Sequence, residues 1–561
     1  MRRLTPSLLL RVMPLGLALG LAGLLQAAAL AWPWRLGWPA GEPVAGLQIL
    51  SLAALLLLLP GAPSARSAFL RGWIWSTAWL GGTFWWLFVS MHTYGGLPAP
   101  LALLSVLALA SALGLYYAGA AALFWRWRGA RLPWRLTAFV ALWTLAELAR
   151  GLLFTGFPWG AGGYAQVDAL APLAPWVGVY GMGAVAAALA LLAAQALALL
   201  ARCVGLGARL GSAAPLAGPN SMAGLAAARP SSAVRSVALA GLLGLALLCW
   251  PGATRHWAGW IPVWTQPAGK LSALLLQGNI PQDQKFQPGS GMPLALGWYR
   301  QQALAALEQG QVSLVVAPET AIPLLPQQLP PAWWQPLLQG VQQGRSALML
   351  GLPMGSPEQG YTNSALSWSP GQDEPLRYDK QHLVPFGEFI PTGFRWFTEL
   401  MQIPLGDFNR GAPVQPTLDW AGQRLAPNIC YEDLFGEELA RGFVAPALAP
   451  TVLVNLSNIA WFGDTVAIDQ HRQISRLRAL ELQRPMLRAT NTGATLAIDH
   501  LGRVTHELPR LTRAVLAVEV EGREGLTPYA RWAGRFGLWP LALLCVSALA
   551  LAWRRSGRSR P

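Results

Sequence analysis

The chain is poor in charge. Only 12% of its 561 residues are Asp, Glu, Lys or Arg, about half the share of an ordinary soluble domain. So low a share excludes a wholly water-exposed protein. Acid is the scarcer sign, with 26 acidic residues against 41 basic ones and a formal charge of +15. Lysine is almost missing: Lys270, Lys285 and Lys380 are the only three, so arginine carries the positive charge. The arginines gather in loops between apolar runs and form no stripe interleaved with aromatics, which argues against nucleic acid as a partner. Cysteine is rare too. Four cysteines with no CxxC pair and no His/Cys cluster make neither a disulfide framework nor a zinc site, so no metal and no cofactor is expected.

What is abundant is apolar. Hydrophobic residues make up 53% of the chain, and 28 are tryptophans, which favour the membrane–water interface. A span needs about 20 apolar residues. Seven such runs precede the polar region, at roughly 12–32, 45–62, 73–91, 99–124, 134–153, 172–202 and 234–254, and an eighth covers 534–553. The first follows Arg2, Arg3 and Arg11 as a signal peptide would, but its length and the runs behind it make it an uncleaved first span. The expected organisation is a polytopic α-helical membrane bundle of about eight spans. Residues 1–254 form a membrane domain with seven helices, 255–533 an extracytoplasmic α/β domain, and 534–561 the last helix with a basic tail. Seventeen arginines lie at the termini and in alternate loops, against Arg35 and Arg150 on the other side. The positive-inside rule then puts both termini in the cytoplasm. The Gly/Ala/Ser/Pro-rich loop 203–233 reads as a linker. Glu147 and Arg150, near the end of the fifth run, either pair at the interface or serve a site.

Between 271 and 520 the pattern changes. Short apolar runs at Leu271–Leu276, Leu314–Ala317, Ala347–Gly351, Val452–Leu456, Thr495–Asp499 and Ala514–Val520 predict strands. Apolar residues at helical spacing predict helices over Leu294–Glu308 and Gln470–Gln483. Alternation of the two predicts an α/β domain. Cys430, in Pro427-Asn428-Ile429-Cys430-Tyr431-Glu432, is the one cysteine outside the apolar runs, because Cys203, Cys249 and Cys545 fall in or beside them. A lone thiol in such a domain is either core or nucleophile.

A thiol is weakly ionised at neutral pH, so a nucleophilic Cys430 needs a base or a cation. Glu319, in Val316-Ala317-Pro318-Glu319-Thr320, follows a predicted strand and can take the proton. Lys380, in Tyr378-Asp379-Lys380-Gln381-His382, can favour the thiolate and stabilise an oxyanion. The residues at strand ends are well placed for an α/β enzyme. The three together outline acyl transfer through a thioester, needing no metal.

Residues 271–500 resemble the nitrilase, or carbon–nitrogen hydrolase, superfamily, whose members use Glu, Lys and Cys in that order on an α-β-β-α sandwich. Over nearly its full length the chain resembles the bacterial apolipoprotein N-acyltransferases. The matching stretches are Gln277–Gln282, Ala317–Pro323, Tyr361–Ser364, Tyr378–Pro391, Ile429–Glu432, Asn455–Asn458 and Arg488–Gly493, with Phe154–Trp159 in the membrane half. The resemblance implies Glu319 as general base, Lys380 as oxyanion stabiliser and Cys430 as nucleophile. It also implies supporting or substrate-binding roles for Glu388, Tyr431 and Glu432. It further implies the bacterial inner membrane, a periplasmic domain, a phospholipid acyl donor and a diacylglyceryl apolipoprotein acceptor. Two positions depart from the family: Ile459 stands where Asp is common, and Phe286 where Trp is common. A membrane-tethered amidase acting on a small amide is the rival, and a transporter with an inert soluble domain is a second alternative.

Overall fold

The computed structural model describes residues 6–203, 259–391, 393 and 407–557. The expected seventh span, 234–254, and all but the first residue of the expected linker lie outside the described residues.

The first half is helical: α1 (Pro6–Leu30), α2 (Ala45–Leu58), α3 (Ala65–Phe84), α4 (Ala99–Phe124), α5 (Leu132–Leu152) and α6 (Ala174–Cys203). Runs of Ala and Leu favour helix, and the starts are marked locally. Ser64 caps α3 by accepting from Ser67 N at 3.2 Å, and α4 and α5 carry proline in their first turn. Small residues bring α3 and α4 close: a Cβ on Gly72 would lie 2.7 Å from Ala121 Cβ, and one on Gly114 2.9 Å from Ser76 Oγ.

Three described helical stretches are long and apolar enough to cross a membrane: Ala99–Trp127, Leu132–Thr155 and Ala171–Ala201. The pair Pro528–Phe536 and Trp539–Ser556, bent by 89°, counts as a fourth if taken as one span. Pro14–Leu30 and Ala45–Leu58 are apolar but shorter. The count of eight is therefore not reached by length and composition. One boundary needs correction. Arg66 and Arg71 belong to the first turns of α3 and not to a loop before it. Arg71 turns back and donates to the carbonyls of Leu58 and Gly61 behind α2, where a cation meets the negative end of a helix.

The described residues of the second half hold twelve strands in two six-stranded sheets. The first runs in the order β12 (Ala514–Glu524), β1 (Gln266–Gln277), β2 (Leu314–Val316), β3 (Ala347–Ser356), β4 (Gly360–Trp368) and β5 (Leu376–Asp379). The second runs β11 (Val504–Glu507), β10 (Leu496–Ile498), β9 (Met486–Thr490), β8 (Val452–Ser457), β7 (Gln423–Ile429) and β6 (Leu418–Trp420). In each sheet three central strands are parallel, β1–β2–β3 and β7–β8–β9, and the outer pairs are antiparallel.

Side-chain alternation creates the layers. Leu271, Ala273, Leu275, Leu314, Val316 and Met349 point inward to meet Leu425, Ile429, Val454, Leu456 and Leu487 of the second sheet. Their neighbours Leu276, Val315, Leu348 and Leu350 face outward and pack on α7 (Gly291–Gln309) and α8 (Pro331–Gln343). On the far side Leu453, Met486, Leu496 and Ile498 pack on α9 (Val466–Leu482). Helix, sheet, sheet and helix thus stack in that order. The chain then closes with α10 (Pro528–Phe536) and α11 (Trp539–Gly557).

The α9 face does not stop at the domain. One apolar cluster runs from Trp75, Trp79 and Trp86 through Trp159 and Tyr164 to Tyr431, Leu434, Ile459 and Leu477. Gln470 of α9 accepts from the indoles of Trp86 at 3.0 Å and Trp159 at 2.7 Å. The helical bundle and the α/β domain share this core.

β3 clasps the segment after β2. Ala317 N donates to Met349 O at 2.9 Å and Ile322 N to Gly351 O at 3.2 Å. A Cβ at Gly351 would lie 2.4 Å from Pro318 O and 2.7 Å from Glu319 Cα. Gly351→Ala therefore pushes the Glu319 segment off its strand. The expected outcome is a loss of about 1–3 kcal/mol in thermal unfolding, with a fall in activity larger than the loss of folded protein.

Candidate functional site

The sequence motifs converge at the carboxyl ends of the strands. Glu319 follows β2, Lys380 follows β5, Cys430 ends β7, Asn458 follows β8 and Asn491 follows β9. Two of the turns are strained. Cys430 has φ +52° and Thr320, after Glu319, has φ +50°, a region that costs a non-glycine residue about 1–3 kcal/mol. At Cys430 this turns the chain from strand into the single 3-10 turn Cys430–Leu434.

Lys380 is the hub. It is 1% exposed, and its Nζ donates to Glu319 Oε1 at 3.1 Å and Glu388 Oε1 at 2.9 Å. The same two oxygens accept from Asn363 Nδ2, each at 2.7 Å. The outer oxygens are held by main chain: Glu319 Oε2 by Asn458 N at 2.8 Å and Glu388 Oε2 by Val384 N at 2.8 Å. Each carboxylate is thus fixed at both oxygens.

Burial raises the Glu319 carboxyl, but Lys380 and the Asn363 amide more than offset it and hold it below the usual carboxylate range. Burial lowers the Lys380 ammonium, and the two glutamates overcome this and push it well above the ordinary lysine value. Glu319 is therefore a carboxylate facing the Lys380 ammonium at neutral pH. The Cys430 thiol moves the other way. Burial and the Glu319 carboxylate push it up to about 12, while Lys380 and Ser457 pull it down by less. At neutral pH the thiol is therefore neutral and the Glu319 carboxylate beside it ionised. That arrangement suits transfer of the proton during attack and not a preformed thiolate.

Glu432 joins the Lys380 loop to the Cys430 turn. Its Oε1 accepts from Gln381 N at 2.6 Å and His382 N at 3.3 Å, and its Oε2 from Ile429 N at 2.6 Å and Tyr378 OH at 2.9 Å. Four donors suit an anion, while burial pulls toward the acid and pushes the carboxyl up to about 7. Tyr431 faces the helical half. Its hydroxyl donates to Gly156 O at 3.1 Å, and its ring stacks on Phe157 with centroids 6.1 Å apart. The stretch Phe154–Trp159 thus lies against the Cys430 turn. Glu147 and Arg150, behind it, are buried inside the bundle rather than at its edge. Tyr117 bridges them, donating to Glu147 Oε1 at 2.7 Å and accepting from Arg150 Nε at 2.8 Å, and Arg150 holds the carbonyls of Phe157 and Trp159 at 2.7 Å.

All six sequence-expected residues, Glu319, Lys380, Cys430, Glu388, Tyr431 and Glu432, fall in this one region. Sequence reasoning gave no role to Asn363, Asn458, Asn491 or Lys285. Asn363 and Asn458 hold the glutamates. Asn491 accepts from Ile280 N at 2.9 Å and donates to Ile280 O at 2.9 Å, pinning the 278–282 loop. Three of them lie in the motif stretches, and Lys285 was marked by the rarity of lysine. Of the two departures, Ile459 is buried in the shared apolar core, so the position carries packing in place of a charge. Phe286 is half exposed beside Lys285.

The paired sheets define the class: the second half is a carbon–nitrogen hydrolase domain. A family model described as Carbon-nitrogen hydrolase matches residues 275–529. A second, described as Apolipoprotein N-acyltransferase N-terminal domain, matches residues 22–192. The protein named apolipoprotein N-acyltransferase of Verminephrobacter eiseniae is 54% identical over 530 residues, which is 92% of each chain. That of Ralstonia nicotianae is 42% identical over 555 residues, 97% of this chain and 94% of its own. Among solved structures, a carbon–nitrogen hydrolase from Helicobacter pylori covers 48% of this chain and 94% of its own, with 15% identity and a TM-score of 0.34. The chain belongs to the apolipoprotein N-acyltransferase family.

Asn363→Asp sets a third carboxyl between Glu319 and Glu388 and removes the donor that both oxygens share. We expect activity to fall about a hundredfold, a barrier rise of about 2.7 kcal/mol. Steady-state assay of the purified variant checks this, with circular dichroism to show that it is folded.

Proposed function

We propose that this enzyme moves a fatty acyl chain from a membrane phospholipid to the α-amino group of the N-terminal diacylglyceryl-cysteine of apolipoproteins, through an acyl thioester on Cys430. The observation that carries the reading is the buried Glu319–Lys380–Glu388 group beside the Cys430 thiol, in a chain coextensive with relatives named apolipoprotein N-acyltransferase. In the first step Cys430 Sγ attacks the ester carbonyl of the donor. Glu319 takes the thiol proton as the S–C bond forms, and Lys380 stabilises the oxyanion. The C–O bond breaks, the proton passes to the glyceryl oxygen, and a lysophospholipid leaves. In the second step the acceptor amine attacks the thioester carbonyl and gives a proton to Glu319; the C–S bond breaks, the amide stays on the lipoprotein, and the proton returns from Glu319 to Cys430 Sγ. Glu388 keeps Lys380 in place, Glu432 binds the lysine loop to the nucleophile turn, and Tyr431 shapes the pocket. The rival amidase would use the same chemistry without lipid, and it leaves the shared core between bundle and domain without a purpose.

The finer topology belongs to this proposal. The helical half, 1–254, spans the inner membrane seven times, with its seventh span at 234–254. Residues 255–533 stand in the periplasm, and the eighth span lies in 534–561. The apolar surroundings then bring two lipid-anchored substrates to one site and limit the water that would hydrolyse the thioester.

Incubation of the full chain with radiolabelled phospholipid should leave a hydroxylamine-sensitive label that disappears in Cys430→Ala and is discharged by a diacylglyceryl-cysteine peptide. A chain that stays unlabelled, yet hydrolyses a small amide, sinks the transferase reading. For orientation, an impermeant maleimide added to cells with a permeabilised outer membrane should modify Gln359→Cys and leave Gly129→Cys untouched. The reverse pattern places the domain in the cytoplasm.

A further inference from the structure

Lys285 is a second buried ammonium of the site, and the chemistry above does not use it. It is 1% exposed, and its Nζ donates to the main-chain oxygen of Glu319 at 3.3 Å. A lone cation in an apolar interior is costly without a counter-charge, and the counter-charge acting on it is Glu319. The charged and titratable groups that act on Glu319 are Lys380 and Glu388 from the loop after β5, Cys430 at the end of β7, and Lys285. Glu319 shares Lys380 with Glu388, and Lys285 is the second cation acting on it. The 280–285 segment also grips Glu319 from two directions. Gln282 Oε1 accepts from Asn458 Nδ2 at 3.0 Å, and the main-chain N–H of Asn458 holds the carboxylate. Lys285 holds the carbonyl. The contact sits at the strained turn before Thr320, where a fixed main chain sets the direction of the side chain.

We propose that Lys285 is a positioning residue for the proton-transfer step: held on the main chain of Glu319, its ammonium directs that carboxylate and adds to the positive field on it, while Lys380 is shared with Glu388. The inference rests on Glu319 being the base for Cys430. In the step itself the S–H bond breaks as the S–C bond forms, and the proton goes to Glu319 and then to the departing oxygen. Lys285 gives and takes no proton. Its own ammonium is lowered by burial to about 8, so its charge is present through the neutral range.

The sign follows directly. Lys285 favours the ionised form of Glu319, so removing its charge raises that carboxyl. A base works only above its own pKa, so the acidic limb of the reaction moves to higher pH. The test is the rate of hydroxylamine-sensitive acyl-enzyme formation against pH, in full-length protein with mixed micelles of radiolabelled phosphatidylethanolamine. Lys285→Met should move the acidic limb upward by about one pH unit, and Lys285→Arg, which keeps the charge, should leave it with the wild type. Should the methionine variant fail to fold, Lys285→Gln carries the same expectation. A neutral variant that is slower at every pH with an unmoved limb overturns the proposal, as does an arginine variant that shifts like methionine. A wild type that forms no acyl-enzyme overturns the thioester reading itself, and this inference with it.

Discussion

The positive charge of Lys380 in a closed interior is the constraint that the site is built around. Removing one partner from a buried ion pair costs about 3–5 kcal/mol, because the other charge stays behind without water. The fold therefore brings Glu319 and Glu388 to within about 3 Å of the ammonium and sets Asn363 between them. Everything next to this group serves to keep four polar atoms in register. β3 clasps the Glu319 segment, Asn458 N holds its outer oxygen, and Val384 N holds that of Glu388. Cys430 sits against an arrangement that was already required by electrostatics. Its thiol stays protonated at rest, which protects it from adventitious oxidation and alkylation, since the thiolate is the reactive form.

Much of this was legible in the sequence because rare residues carry it. Lysine occurs three times, and Cys430 is the one thiol away from apolar runs, so each stood out against its background. β1, β2, β3, β8, β10 and β12 were legible from apolar runs. β4, β5, β6, β9 and β11 were not, because they are short or interrupted by polar and charged residues, and their assignment depends on pairing with a neighbour. Asn363 and Asn458 were hidden for another reason. Asparagines are common in loops, and only the folded chain shows the Asn363 side-chain amide and the Asn458 main-chain N–H aimed at carboxylates. In the helical half, apolar length was a good guide to α4, α5 and α6. α3 blurred it, because Arg66 and Arg71 belong to the helix, and Arg71 is satisfied there by reaching the carbonyls behind α2.

The charges at Glu147 and Arg150 show how two readings of one pair can resolve. Sequence offered an interfacial pair or a working site. The structure puts them inside the bundle, where Tyr117 joins them and Arg150 holds two carbonyls of the stretch that lies against Tyr431. The helices therefore shape the surroundings of the Cys430 turn through ordinary hydrogen bonds.

Gln470 accepts from two tryptophan indoles of the helical half while sitting on a helix of the α/β domain, in the middle of a core that neither half owns. Separate domains with separate cores melt separately. Here the loss of either half would expose apolar surface on the other, so the two share one cooperative transition. A detergent that loosens the bundle would disorder the sheet layer nearest to it before water alone could, and the lifetime of the purified enzyme would be set by its lipid-facing part.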